Sequence, residues 1–221
     1  YFKNIIKLFF SLLFNILNLY RYENYILPKD FIKYIRGLKK KDVVIDIGAN
    51  VGIVTEILAK RALTVHSFEP NSSSFKKLKL LSKKYNNINF YNSAASSANQ
   101  KLKLYLHKDT SHKEEDLSQS SSLLKNKPNV SEYLYEEIQA IDFAKFILSL
   151  NTNIQLIKID IEGYEIELIN FLLDKNVLGN VKKIFVETHE QKFRDLIEPT
   201  ERLKKRIKRE GYQNKFSYEW H

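Results

Sequence analysis

Five short apolar runs rich in β-branched residues, alternating with segments of helical spacing, constrain this chain more than any other feature. Val43-Val44-Ile45-Asp46-Ile47, Thr64-Val65-His66-Ser67-Phe68, Ile88 to Tyr91, Ile154 to Asp160 and Val181 to Val186 read as strands. Near-continuous apolar runs of this length mark strands buried on both faces. Between them Ile53, Val54, Ile57 and Leu58, then Phe75, Leu78 and Leu81, then Ile166, Leu168, Ile169, Leu172 and Leu173 recur at helical spacing. Repeated strand-then-helix order predicts an α/β fold, a mostly parallel, doubly wound sheet with helices on both faces. Leu102, Leu104 and Leu106 alternate with Lys101, Lys103 and Tyr105, which predicts an added, half-exposed strand. Ile138 and Ile141 end another, and Asp142 caps a helix over 143–150. Residues 107–129 are polar and read as a long loop, a lid candidate. A basic helix is expected near 200–209, and Gly211 opens a final short strand.

The first 40 residues follow a different pattern. Residues 1–20 are apolar except for Asn4, Lys7, Ser11, Asn15 and Asn18, which fall on one stripe of a helix. Three readings stay open for this N-terminal apolar helix: docking on its own domain or on a second subunit, lying in a membrane interface, or anchoring as a signal segment. Pro28 and Asp30 open a second short helix, Phe31 to Leu38. The expected organisation is an N-terminal helical segment over 1–40 and one catalytic-size domain over 41–221. The chain opens at Tyr1 and has no methionine, so the lack of a recognisable targeting signal says little about its address.

Composition narrows the chemistry. With no cysteine there is no disulfide framework, no thiolate metal site and no thiol nucleophile. The net charge of +10 is spread along the chain and reads first as a solvated surface, although it also suits an anionic partner such as a membrane, RNA or an acidic glycan.

In doubly wound sheets ligands bind beyond the carboxyl ends of the strands. After the first strand stands Asp46-Ile47-Gly48-Ala49-Asn50-Val51-Gly52. Its glycines allow a tight turn and close backbone approach, Asn50 tolerates a left-handed conformation, and the loop runs into a helix N-terminus. The glycines stand four apart, which departs from the dinucleotide fingerprint and disfavours a nicotinamide dehydrogenase. Glu69 follows the second strand, and an acid there can accept two hydrogen bonds from a ribose diol before Pro70-Asn71 turns the chain. Loop and acid together point to a nucleoside-bearing ligand. After the fourth strand come Lys158-Ile159-Asp160-Ile161-Glu162-Gly163-Tyr164-Glu165, in which alternation sends Lys158, Asp160 and Glu162 to one side. Acids at that depth call for a partner, ligand or metal. Glu187-Thr188-His189-Glu190 follows the fifth strand, with His189 a candidate base.

The segments 44–52, Phe68-Glu69-Pro70-Asn71, Ile157 to Glu165 and Val186-Glu187, in that order, resemble the FkbM-type methyltransferases. Ser93-Ala94 and Ser121-Ser122-Leu123 are similar more weakly. The resemblance implies the Rossmann-like class I methyltransferase fold and S-adenosylmethionine as cofactor. It implies that Asp46, Gly48, Asn50 and Gly52 cradle the amino-acid end, that Glu69 with Pro70 takes the ribose, and that Ala94 lines the adenine. Asp160 would lie near the sulfonium methyl, with Asp160, Glu162 or His189 as the proton acceptor. Asp160 and Glu162 could instead hold a divalent cation.

The expected activity is O-methylation of a sugar, glycan or related small molecule, in the cytoplasm or at the membrane surface. An acidic segment suits an alcohol, which must lose a proton. The Asn/Asp-Pro-Pro-aromatic segment used on exocyclic base amines is missing from the sequence. The alternatives are an RNA methyltransferase using the basic helix and a non-catalytic assembly protein docked through residues 1–20. The chain departs from the general pattern after Gly211, where little remains for the customary closing antiparallel strand pair.

Overall fold

The computed structural model describes residues 27–108, 121–125, 127 and 129–220. The apolar helix expected over 1–20 and most of the lid candidate lie outside the described residues. The strands are β1 (Val43–Ile47), β2 (Thr64–Phe68), β3 (Ile88–Tyr91), β4 (Ala94–Ser96), β5 (Gln100–His107), β6 (Val130–Asp142), β7 (Ile154–Ile159), β8 (Ile184–Glu187) and β9 (Phe216–Trp220). The helices are α1 (Lys29–Arg36), α2 (Ile53–Ala59), α3 (Ser72–Leu78), α4 (Phe143–Ser149), α5 (Glu165–Asp174) and α6 (Ile197–Arg209).

Six strands form the main sheet in the order β3-β2-β1-β7-β8-β9, and every neighbouring pair in it is parallel. The order reverses between β1 and β7, which opens a crevice at their carboxyl ends. The five apolar runs of the sequence are the first five strands of this order, with β3 at one edge. The closing edge is a single parallel strand, β9, reached through α6. The chain after Gly211 thus supplies one strand where a pair is customary.

Each face of the sheet carries its own apolar layer. On one, Ile45, Ile47, Ile157, Ile159 and Val186 pack with Leu168, Ile169 and Leu172 of α5 and Leu203 and Ile207 of α6. On the other, Val44, Val65, Leu156 and Phe185 pack with Ile57 and Leu58 of α2 and Leu78 of α3. Helix α1 belongs to this second layer: Phe31 sets its ring edge-on to Phe185 at 5.1 Å, and the Tyr34 hydroxyl donates to the Gln155 carbonyl at 2.9 Å.

A second sheet, in the order β4-β6-β5, was only partly legible. The alternation of Leu102 and Leu104 gave β5, but β6 runs 13 residues where only its end was expected. Its residues 132–135 are exposed on both faces where its edge pairs antiparallel with lysine-rich β5, so no period-two burial pattern marks them. The inner face closes over Ala94, Leu104, Ile138 and Ala140, which pack together beside the crevice. Asp142 ends β6 and caps α4 as expected, accepting from the Lys145 amide at 3.0 Å.

Register places an acid and a base side by side at the centre. Asp46 on β1 pairs with Lys158 on β7, both fully buried. The Lys158 ammonium stands 3.5 Å from Asp46 Oδ1, and the Thr55 hydroxyl donates to Asp46 Oδ2 at 2.6 Å. Removing one partner of such a pair strands the other charge, so Lys158→Met should lower stability by about 3–5 kcal/mol. Adding Asp46→Asn to Lys158→Met should recover part of that loss. Denaturant unfolding of both variants measures this, and additive losses would show that the pair is not coupled.

Candidate functional site

The crevice is built from the turn after each of the central strands. Gly48 and Ala49 donate their amides to the Phe68 carbonyl at 3.0 and 2.9 Å, folding the loop after β1 across the end of β2. The Asp160 amide donates to the Ile47 carbonyl at 3.1 Å, so the end of β7 closes on the same loop. Gly48 has φ +76°, and a Cβ there would stand 1.7 Å from the Asp160 carbonyl oxygen. Only glycine lets these two turns approach so closely. Asn50, at φ +50°, sits in the left-handed conformation anticipated for it.

Gly48, Asn50, Glu69, Pro70, Ala94, Asp160 and Glu162, all singled out from the sequence, line one cleft. Its apolar wall is Phe68, Ala95, Leu104, Leu123 and Tyr164, and with its open mouth it encloses about 640 Å³. An apolar wall facing a few converging polar groups is the form of a small-molecule or cofactor site. Three other sequence candidates lie elsewhere. Asp46 is fully buried behind the loop, held by Thr55 and Lys158. Gly52, at φ +96°, starts α2 where a Cβ would press on Leu78 and Leu81 at 2.8 and 2.9 Å. His189 is buried beneath the acids of the cleft, 1% exposed.

Glu69 is held by two backbone donors. The Asn50 amide reaches Oε2 at 2.7 Å and the Asn71 amide reaches Oε1 at 2.8 Å. Burial pushes its carboxyl up to about 7, against the pull of these two amides and of Lys158. Each oxygen keeps a lone pair for a ligand hydroxyl, so the clamp orients the acid without using it up.

The other end of the cleft is acidic. Asp160 is 27% exposed at its side chain, with Oδ2 3.3 Å from the Lys158 ammonium. Glu162 follows at φ +56°, a conformation uncommon for a residue with a side chain, and pairs with buried Lys127. Burial disfavours its charge, yet His189 and Lys127 hold it down to about 2. His189 accepts or donates through Nδ1 to Glu165 Oε1 at 3.0 Å. Its Nε2 stands 3.6 Å from Glu162, 3.7 Å from Glu187 and 3.8 Å from Asp160, ion-pair distances rather than hydrogen bonds. Burial lowers its pKa, but Glu162 and Glu165 outweigh this and push it up to about 10.

Two positioning groups were not singled out as site residues. Lys158 was noted for its strand face, but the structure shows its ammonium bridging the Gly48 carbonyl at 2.9 Å and the carboxylates of Asp46 and Asp160. A lysine inside an otherwise apolar strand was the available signal. Ser122, in the described part of the long loop, bridges to Tyr105 of β5, and its hydroxyl donates to the Glu162 carbonyl at 2.8 Å. This ties the loop to the acidic turn.

Compared with curated protein sequences, the chain matches none. Among solved structures, a methyltransferase FkbM from Methylobacillus flagellatus KT is 13% identical with a TM-score of 0.47; the match covers 75% of this chain and 37% of that one. A precorrin 8w decarboxylase from Methanobacterium thermoautotrophicum is 16% identical with a TM-score of 0.42, over 79% of this chain and 69% of the other. A Streptococcus mutans chain described as a methyltransferase, in complex with SAH, is 12% identical with a TM-score of 0.41, over 77% of each. The family model for the methyltransferase FkbM domain matches residues 46–213, most of the chain and all of the cleft. The chain belongs to the FkbM methyltransferase family and is an S-adenosylmethionine-dependent methyltransferase.

Proposed function

We propose that the chain transfers the methyl group of S-adenosylmethionine to a hydroxyl of a sugar, glycan or related polyol. The carrying observation is the position of Asp160, a half-exposed carboxylate on the wall of the same cleft that holds Glu69. In this reading the adenosine lies along the apolar wall at Ala94 and Pro70, with its ribose hydroxyls on Glu69. The amino-acid end meets the loop of Gly48 and Asn50, and the sulfonium faces Asp160. The acceptor oxygen displaces the methyl group with its own electron pair. The C–S pair returns to sulfur, and the hydroxyl proton passes to Asp160. His189 does not serve as the acceptor of that proton, because it lies buried beneath the acids and does not line the cleft. Glu162, already paired with Lys127 and held near 2, is a weak base.

The basic helix gives the RNA reading little support. In α6, Lys204 pairs with Glu190, Arg202 with Glu198, Arg206 with Asp174 and Glu210, and Arg209 with Glu210, so four of its six basic side chains are engaged in intramolecular pairs. Among the described residues no helix is long and apolar enough to cross a membrane. We place the chain in the cytoplasm, with residues 1–20 as its contact to a membrane surface or a second copy.

Incubation with methyl-labelled cofactor and fractionated glycans should label a sugar hydroxyl. Asp160→Asn should cut turnover at least a hundredfold, the usual scale for a proton acceptor, while SAH affinity stays within about twofold. Label in RNA alone, or undiminished turnover in Asp160→Asn, would contradict the assignment.

Glu69 generates a pH prediction. Its carboxyl rises from 4.5 to about 7 on folding, so the folded chain holds a proton that the unfolded chain has already released. Its contribution to stability therefore falls as pH rises from about 4.5 to about 7. SAH affinity should run the other way, strengthening through about 7 as the carboxylate ionises for the ribose hydroxyls. Calorimetric SAH titrations between pH 6 and pH 8 (the range that brackets the shift, roughly one unit each side) should show this in the wild type. Glu69→Gln should abolish the dependence and weaken binding throughout.

A further inference from the structure

The acidic end of the cleft carries more negative charge than the lysines around it neutralise. Asp46, Asp160, Glu162, Glu165 and Glu187 are joined into one network by ion pairs to Lys127, Lys158, Lys192 and His189. Five carboxylates against three lysine ammoniums leave two negative charges, and a charged histidine offsets only one of them. A divalent cation beside a neutral histidine offsets both.

The geometry has the form of a ligand set. One ligand atom each from Asp160, Glu162 and His189 lie within 4.8 Å of one another, a spacing that a single ion can span. His189 Nε2 is fully buried, has no hydrogen-bond partner and faces these carboxylates. Its other nitrogen is fixed by Glu165, which is itself held by the Gly163 amide at 2.8 Å. A carboxylate that orients a histidine through one nitrogen and leaves the other directed at more carboxylates is the outer-shell arrangement of metal sites. Glu162 reaches the position only by adopting its left-handed backbone conformation. Asp160 and Glu162 line the cleft, so an ion there keeps coordination positions open toward the acceptor.

We infer that Asp160, Glu162 and His189 Nε2 bind one divalent transition-metal cation of the Mn²⁺ class at the methyl-transfer end of the cleft, where it holds two neighbouring hydroxyls of the acceptor. One imidazole and two carboxylates favour such an ion over Ca²⁺ or Mg²⁺, whose protein sites are built from oxygen. Glu187, 3.7 Å from His189 Nε2, stands next in line as a ligand. Asp160 ligates through Oδ1, the oxygen on the His189 side, while Oδ2, beside the Lys158 ammonium, receives the acceptor proton. The substrate class sharpens accordingly to a vicinal diol, the arrangement a chelating ion selects. This inference rests on the reading of Asp160 as the methyl-transfer end of the cleft.

The test is calorimetric titration of the chelator-treated full chain with Mn²⁺ alone, alongside a separate titration with SAH. The wild type should bind one Mn²⁺ per chain. His189→Gln and Glu162→Gln should each abolish that binding while retaining SAH affinity, which also reports that they fold. Glu165→Gln, removing only the residue that orients His189, should weaken Mn²⁺ about 10- to 100-fold. A wild-type chain that binds SAH but takes up no Mn²⁺ would overturn the inference. So would Mn²⁺ binding that survives both His189→Gln and Glu162→Gln. If Mn²⁺ binds as expected and SAH does not, the cation site stands and the cofactor placement fails.

Discussion

A single buried ammonium organises the centre of this protein. Lys158 lies on β7 directly opposite Asp46 on β1, and its Nζ contacts the Asp46 carboxylate, the Gly48 carbonyl and the Asp160 carboxylate. These three belong to the core, the loop after β1 and the acidic end of the cleft. A buried charge of this kind is tolerated only where its partners are fixed, and here the parallel register of two apolar strands fixes them. Asp46 therefore shapes the site from behind: it anchors Thr55 of α2 and Lys158, and so sets where the loop and Asp160 stand.

The cleft separates two kinds of acid by their surroundings. Glu69 is clamped by backbone amides and starved of solvent, so its ionisation moves toward neutrality and suits hydroxyl recognition. At the opposite end Glu162 sits between Lys127 and His189, which favour its charged form, and with Asp160 it suits proton capture or cation binding. Between them runs an apolar wall supplied jointly by β2 and the small second sheet. The second sheet matters because it gives the cleft an apolar cover that the parallel strands alone do not provide.

Most of this was legible in the sequence because the main sheet is buried on both faces, and burial writes long β-branched runs. The loop of Gly48 and Asn50, Glu69, and the acidic turn of Asp160 and Glu162 all lie where a doubly wound sheet places ligands, and the structure gathers them in one cleft. The second sheet was harder to read. Strand β6 is exposed on both faces over residues 132–135, so no apolar run marks it, and its pairing with β5 depends on contacts remote in sequence. His189 was noticed as a titratable group at a strand end, but its surroundings were invisible. Glu165 belongs to α5 and Glu162 to a turn, and only the folded chain sets them both against the imidazole. Lys158 likewise has meaning only through register with Asp46, which no local pattern encodes.

The account turns on where the cofactor lies, and a crystal structure of the chain with SAH tests that most directly. The ribose hydroxyls should meet the Glu69 carboxylate, the amino-acid end should follow the loop from Gly48 to Asn50, and the sulfur should face Asp160. SAH bound away from Glu69, or lying in this cleft with its sulfur directed away from Asp160, would contradict the account.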